Sequence, residues 1–345
     1  MLFNLLRPAI FTLDPEKAHR LTITALKSKP VLGLPKHPDE LSVEVAGIRF
    51  PSPVGLAPGF DKDAEVPRAM LAMGFGSVEV GTLTPKPQAG NPKPRLFRLA
   101  EDEAVINRMG FNNSGQAAAI ARLKRDADRA LPGILGINIG ANKDSDDRIA
   151  DYRMGVEAMA PYADYLTINI SSPNTPGLRA LQDEGALTDL LDAAFEARGR
   201  NGPPMFLKVA PDLEAADIDA IARIALDKGL DALIVSNTTI SRPELRSRCA
   251  VEAGGLSGAP LRDLATQRLR DFRAATGGDM PLIGVGGIAS AQHAWERIKA
   301  GASLVQIYSA MVYEGPYLAQ TINKGLVRLM KAEGFETIAE AVGSE

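Results

Sequence analysis

One cysteine, Cys249, is all the chain has, so an internal disulfide framework is excluded and a reducing compartment fits. Histidine is nearly as scarce. His19, His37 and His293 lie far apart with no HExxH or C-x-x-C nearby, which speaks against a metal centre of ordinary spacing. No apolar run reaches the ~18 residues that a membrane-spanning helix needs. Asn4, Arg7 and Pro8 break the only apolar stretch near the N-terminus, so no secretory signal is expected. A formal net charge of −3 over 345 residues gives no overall electrostatic reason to bind nucleic acid. What remains, 45% hydrophobic and 23% charged, is the make-up of an ordinary globular protein.

Residues 1–36 stand apart. MLFNLLRPAIF is dense in large apolar side chains, and Asp14-Pro15-Glu16 reads as a helix start, with Asp14 as cap and Pro15 in the first turn. That helix is expected to run through Ala18, Leu21, Ile23, Ala25 and Leu26 and to stop near Lys27, ahead of Pro30. The segment holds six basic side chains against two acids on a chain that is negative in total. A short, apolar, basic helix suits a bilayer surface, where apolar burial and attraction to anionic lipid add. The competing reading is a helical arm packed on its own domain. The expected division is a helical segment over 1–38 and a second unit over 39–345.

From Leu41 the period changes. A hairpin around Ala46-Gly47 precedes a repeating strand–loop–helix rhythm. Strands are expected at Val54–Leu56, Ser77–Val80, Leu135–Ile139, Tyr165–Ile170, Met205–Val209, Ala232–Val235, Leu282–Val285 and Leu304–Ile307. Helices are expected near 63–73, 115–130, 147–160, 186–198, 214–227, 262–275, 290–299 and 316–333. Eight strands each followed by a helix make a closed parallel (β/α)8 barrel of the TIM type the economical solution. Two long insertions, 83–113 and 237–261, are the lengths at which loops are usually functional.

Chemistry in such barrels sits at the C-terminal strand ends. Those ends carry Pro58 to Lys62, Gly81-Thr82, Asn138, Lys208, Ser236 to Thr239, Gly284 to Gly287 and Tyr308-Ser309. Amides, hydroxyls, glycines and two lysines dominate, with Asp61 the only acid, so the site should receive an anion. Lys208 lies inside Met205–Val209, an apolar strand in which an ammonium needs a partner. The fourth strand opens into Ser171-Ser172-Pro173-Asn174-Thr175-Pro176-Gly177. Two prolines and a glycine stiffen this loop, and its uncharged donors and acceptors suit a planar, hydrogen-bonding small molecule. The bland alternative is a turn made of turn-formers. Gly284-Val285-Gly286-Gly287-Ile288-Ala289 matches a dinucleotide fingerprint formally, but that motif belongs at the first βα turn with an acid about 20 residues on. After a seventh strand it fits a phosphate site instead, with Gly258 as a further donor. These residues alone leave open a phosphate-binding isomerase or aldolase, or a membrane-bound binding protein.

Asp14–His19, Gly59-Phe60-Asp61-Lys62, Gly81–Pro85, Asn107–Asn113, Asn169–Asn174, Gly254–Gly258 and Gly284–Gly287 occur in the order found in dihydroorotate dehydrogenases. With a serine, Ser172, where the soluble class carries cysteine, and with an N-terminal helical extension, the chain resembles the membrane-associated, quinone-dependent class 2 over essentially its whole length. The resemblance implies oxidation of dihydroorotate to orotate in pyrimidine biosynthesis. It implies FMN held by Pro58, Gly59, Phe60, Asp61, Lys62, Thr82, Asn138, Asn169, Lys208, Ser236, Gly258, Gly287, Tyr308 and Ser309. It implies substrate held by Lys62, Asn107, Arg108, Met109, Gly110, Phe111, Asn169, Asn174, Asn237 and Thr238. Ser172 would take the C5 proton while hydride leaves C6 for the flavin. His19, Arg98 and Tyr308 would lie on the path to a ubiquinone-type quinone. A monomer bound peripherally at the cytoplasmic side of the cell membrane is implied as well. Two positions depart from the common pattern: Pro58, which lacks an N–H, and Ser236, where threonine is usual. The resemblance does not say what activates Ser172; a relay through Thr175 or water is expected, since serine is a poor base unaided.

Overall fold

Eight short apolar strands close on themselves in chain order: β1 (Val54–Leu56), β2 (Ser77–Leu83), β3 (Ile134–Ile139), β4 (Tyr165–Asn169), β5 (Met205–Val209), β6 (Ala232–Val235), β7 (Leu282–Val285) and β8 (Ala302–Ile307). Every pairing is parallel, and Val305 of β8 registers with Val54 of β1 to complete the ring. The computed structural model describes residues 2–28, 31, 33, 35–126 and 131–345. All eight strands fall where the apolar runs place them. The strands are buried on both faces, which is why they read as continuous apolar runs rather than alternating ones. The intervening helices also follow the pattern, although Pro67–Leu71 is shorter than expected. The expected helix end near 130 lies outside the described residues.

The hairpin Val43–Val45/Ile48–Phe50 sits at the N-terminal end of the barrel, where Phe50 packs on Tyr165 with ring centroids 6.2 Å apart. Tyr165 in turn stacks on Phe206 at 4.5 Å, so aromatic rings fill that end. The C-terminal end holds the polar groups.

The two insertions are not bare loops. Leu96–Leu99, Ala104–Asn107 and Gly255–Gly258 form a three-stranded antiparallel sheet with Ala104–Asn107 in the middle. Gly255 pairs with Asn107, so a segment following β6 is tied to one following β2 across the mouth of the barrel. The alternation rule misses these strands. Each is four residues long, and Gly-Leu-Ser-Gly has no apolar face to reveal it.

The N-terminal segment is two helices, α1 (Leu2–Phe11) and α2 (Pro15–Ser28). Asp14 caps α2 as expected, accepting from Lys17 N at 2.9 Å. One face of α2 packs inward through Ala18, Ile23 and Leu26. Ion pairs to the barrel reinforce it: Glu16 with Arg95 at 2.7 Å, and Arg20 and Lys27 with Glu65 at 2.9 and 2.8 Å. Leu5, Leu6, Leu13 and Leu21 point outward and are exposed. The segment thus packs on its own domain through one face, as the second reading expects, and leaves an apolar face uncovered. No described helix is long and apolar enough to cross a membrane.

Candidate active site

A single cavity of about 480 Å³ runs from between α1 and α2 to the C-terminal mouth of the barrel. That volume is ordinary for a cofactor or small-molecule site. Its outer arm is apolar, walled by Phe3, Ile10, Phe11, Leu26, Met73 and Met311. Its inner end is polar, with Thr82, Asn169, Lys208, Ser236 and Gln306 rising from the strand ends.

Lys208 sits in β5 with 4% of its surface exposed, and its ammonium makes no hydrogen bond to a described residue. Burial pushes its pKa down, and the carboxylate of Glu79 opposes the shift. Lys62 enters from the β1 turn, where its ammonium donates to Gly59 O at 2.5 Å. Burial lowers it to about 8. Two desolvated cations facing one cavity make it a site for anionic or electron-accepting ligands.

The polar side chains form a continuous chain of hydrogen bonds. Thr82 Oγ1 donates to Asn138 Oδ1 at 2.6 Å, and Asn169 Nδ2 donates to the same oxygen at 3.0 Å. Ser171 Oγ donates to Asn169 Oδ1 at 2.8 Å, and Asn237 Nδ2 donates to Ser171 Oγ at 2.8 Å. Nearby, Asn174 reaches Asn107 at 3.3 Å. Gly110 and Phe111 both have positive φ, and Gln88 ties down their two carbonyls at 3.1 Å.

Ser172 is buried on the cavity wall, and its Oγ accepts from Asn174 N at 3.2 Å. No histidine or carboxylate bonds it among the described residues. The Thr175 hydroxyl, three positions on, is buried without a partner. Arg179 fastens the loop by donating to Ser171 O at 3.0 Å and Thr238 O at 3.1 Å while pairing with Asp212 at 2.9 Å. Asp212 also accepts from Thr239 Oγ1 and from Ile240 N, so one ion pair joins the loops after β4, β5 and β6.

At the β7 turn, Gly286 and Gly287 have φ of +113° and +71°, and a Cβ on Gly287 would lie 2.5 Å from Arg262 Cα. Only glycine gives this close packing. The buried guanidinium of Arg297 donates to the carbonyls of Val285, Gly286 and Arg262 at 3.4, 2.9 and 3.2 Å. It ties down the carbonyl groups of the turn. Ser257 and Ser309 hydroxyls meet at 2.7 Å beside Gly258.

His19, Phe60 and Tyr308 form an edge-to-face series between the two ends of the cavity, with centroids 5.2 and 6.0 Å apart. Burial, with Lys62 beside it, pushes His19 down to about 3, so the imidazole is neutral near pH 7. Arg98 lies over Phe11 at 4.9 Å and donates to Phe11 O and Leu13 O, joining the insertion sheet to the α1–α2 turn.

The cavity thus brings together nearly every residue singled out in the sequence. Of those given a catalytic, cofactor, substrate or quinone role, three lie off its wall. Asp61 is buried with its carboxylate capping Glu65 N and Val66 N at 2.8 and 2.7 Å, and burial pushes it up to about 6. Asn138 stands one layer deeper, behind Thr82 and Asn169. Arg108 turns its guanidinium outward to Glu252 at 2.8 Å. Glu79, Gln306, Arg297 and Arg179 escaped the reading of strand ends. Glu79 and Gln306 carry the signal that exposed Lys208, a polar residue inside an apolar strand.

The family model for dihydroorotate dehydrogenase matches residues 40–330. A protein of Erythrobacter litoralis described as dihydroorotate dehydrogenase (quinone) is 70% identical, with all of both chains covered. One of the same description from Novosphingobium aromaticivorans is 66% identical over 99% of each chain. The crystal structure of Eimeria tenella DHODH in complex with ferulenol superposes with a TM-score of 0.91 at 44% identity, covering 96% of this chain and 95% of that one. A match over this much of the chain, at these identities and with this barrel, has one meaning: the chain belongs to the dihydroorotate dehydrogenase family.

Proposed function

We propose that this chain oxidises (S)-dihydroorotate to orotate in de novo pyrimidine biosynthesis, with FMN as hydride acceptor and a ubiquinone-type quinone as final electron acceptor. The observation that carries the assignment is the pair of ammonium groups, from half-buried Lys62 and buried Lys208, on the wall of one cavity. The donor set fits FMN. The Gly286 and Gly287 N–H groups donate to no described backbone group, and together with Gly258 and Ser309 they suit a phosphate. Gln306 Oε1 is buried and unpartnered, an acceptor waiting for an N–H, and Lys208 stands by as a donor. When bound, the flavin supplies the two-electron acceptor for hydride leaving C6 and the link to quinone.

The chain's own residues bind and orient the substrate and move its proton. Lys62 and the amides of Asn107, Asn169, Asn174 and Asn237, with Thr238, match a carboxylate on a cyclic diamide, whose every N–H and C=O needs a partner once water is excluded. Met109, Gly110 and Phe111 close over the ring. Ser172 Oγ takes the C5 proton, and the buried, unpartnered Thr175 hydroxyl or a water passes it on. His19, Arg98 and Tyr308 line the way to the apolar arm, where a neutral imidazole suits an uncharged quinone. The exposed Leu5, Leu6, Leu13 and Leu21 suit peripheral attachment of a monomer to the cytoplasmic face of the cell membrane through residues 1–36.

Mixing the anaerobic yellow protein with dihydroorotate is expected to bleach the flavin within seconds. Ser172→Ala should retain FMN and bleach at least a hundredfold more slowly, the usual scale for loss of a positioned base, about 10²–10⁴. A colourless protein that cannot be reconstituted with FMN, or a near-normal Ser172→Ala half-reaction, would contradict the assignment.

Lys62 also sets a pH dependence. A bound carboxylate favours its charged form, so affinity for orotate should be level below about pH 8 and fall towards about tenfold per pH unit above it. Titrations between pH 6.5 and 9 (roughly bracketing that value) check this. A Lys62→Met variant should bind weakly at every pH, and a wild-type profile level throughout would remove Lys62 from the carboxylate.

Deleting residues 1–36 is expected to leave flavin reduction by dihydroorotate intact while abolishing quinone turnover and liposome binding. Unchanged quinone turnover would place the quinone elsewhere.

A further inference from the structure

Glu79 is fully buried inside the barrel, in β2, and the reaction just described assigns it nothing. Three groups converge on its carboxylate. Asn138 Nδ2 donates at 2.6 Å to Oε1, while Gln306 Nε2 at 2.6 Å and the Tyr165 hydroxyl at 3.1 Å donate to Oε2. Gly136, opposite Glu79 on β3, makes room for this arrangement, since a Cβ there would stand 2.5 Å from the Tyr165 oxygen. Three donors and no acceptor around a carboxyl group describe the ionised, acceptor-only form.

That fixed polarity propagates in two directions. Asn138 must turn its NH₂ to Glu79, so its oxygen faces Thr82 and Asn169. Asn169 then gives its NH₂ to Asn138, and its own oxygen accepts from Ser171 Oγ. Ser171, having given its proton away, accepts from Asn237 Nδ2, and Asn237 Oδ1 accepts from Thr238 N at 2.7 Å. In the other direction Gln306 gives its NH₂ to Glu79, which leaves its unpartnered oxygen as the atom offered to a ligand. Every other side-chain member of these chains is an amide or hydroxyl that can be read either way round. Glu79 is the one side-chain member with a single reading, and at the far end the backbone N–H groups of Ser171 and Thr238, donating to Asn169 Oδ1 at 3.3 Å and to Asn237 Oδ1, hold the same sense.

We propose that Glu79 is a positioning residue that sets the donor and acceptor sense of Asn138 and Gln306, so that Gln306 meets its ligand, and Asn169 finds its acceptor, in one amide orientation. Glu79 touches neither ligand and acts through Asn138 and Gln306. The wall can then read a ring whose N–H and C=O groups alternate and reject one in which they are transposed. This inference rests on the substrate assignment above.

The test uses the holoenzyme and orotate, read by perturbation of the flavin spectrum at equilibrium. Glu79→Gln places a two-faced amide under Asn138 and should weaken orotate binding at least tenfold. Combining it with Asn138→Asp moves the acceptor-only group one link along. The carboxylate introduced there can accept from the amide beneath it, from Thr82 and from Asn169, which restores every orientation beyond it. The exchanged pair should therefore bind orotate within a few-fold of wild type, whereas Asn138→Asp alone, with two buried acids face to face, should not. Loss of packing alone would leave the double variant no better than either single one. Should Glu79→Gln fail to retain FMN, the comparison of the exchanged pair with Asn138→Asp carries the same decision. Wild-type affinity in Glu79→Gln, or no recovery in the exchanged pair, overturns the assignment to Glu79. A wild-type spectrum unmoved by orotate would instead overturn the substrate reading on which it stands.

Discussion

An ammonium buried in the wall of a parallel barrel, with no hydrogen-bond partner among the described residues, is the constraint on which the remaining structure turns. Lys208 gives up its hydration in an apolar strand and receives only the field of Glu79 from the protein. A lone buried charge of this kind is costly, and a sequence selected for stability alone would replace it with an apolar residue. Its neighbours do not relieve it. Gln306 spends its NH₂ on Glu79, and Asn169 spends its own on Thr82 and Asn138. The polar end of the cavity is therefore arranged as half of an interaction, and a bound, electron-accepting ring would supply the other half. Desolvation then favours function, because a cation stripped of water acts more strongly on charge that develops beside it.

Around that end, the fold separates chemistry from access. The glycine turn after β7 is braced by Arg297, and the loop carrying Ser172 is braced by Arg179 and Asp212. In both cases a guanidinium ties backbone carbonyls down, so the groups facing the cavity are held by partners outside it. Rigid support of this type is what positions functional side chains closely enough to act. The other end of the cavity belongs to the N-terminal helices, whose inner faces extend the wall in apolar side chains. His19 marks the changeover. It is neutral by burial and stands in line with Phe60 and Tyr308. A single continuous cavity with one charged end and one apolar end suits an enzyme that takes electrons from a water-soluble acid and gives them to a lipid-soluble acceptor.

Much of this was legible in the sequence because the barrel strands are buried on both faces and stand out as short apolar runs. Lys208 was conspicuous for the same reason, as a charge where none should be. The order of the loops then placed Lys62, Ser172, Lys208 and Gly287 at one mouth, and the structure brings them to one cavity. The insertion sheet was not legible, since its strands are too short and too glycine-rich for periodicity to register. Roles that depend on which way a side chain turns were hidden as well. Asp61 and Arg108 sit in ligand-facing motifs, yet one caps a backbone turn and the other pairs outward. Glu79 meets the criterion that exposes Lys208, a charge inside an apolar strand, but it lies below the strand ends where chemistry is expected.

The central claim is that the two ammonium groups on the cavity wall serve two different ligands, Lys62 the substrate carboxylate and Lys208 the flavin ring. A crystal structure of the holoenzyme soaked with orotate tests it most directly. The account predicts the orotate carboxylate on Lys62, with its ring among Asn107, Asn174 and Asn237, and the flavin ring against Lys208 and Gln306. Orotate bound to Lys208, or a flavin whose ring lies away from both Lys208 and Gln306, would contradict it.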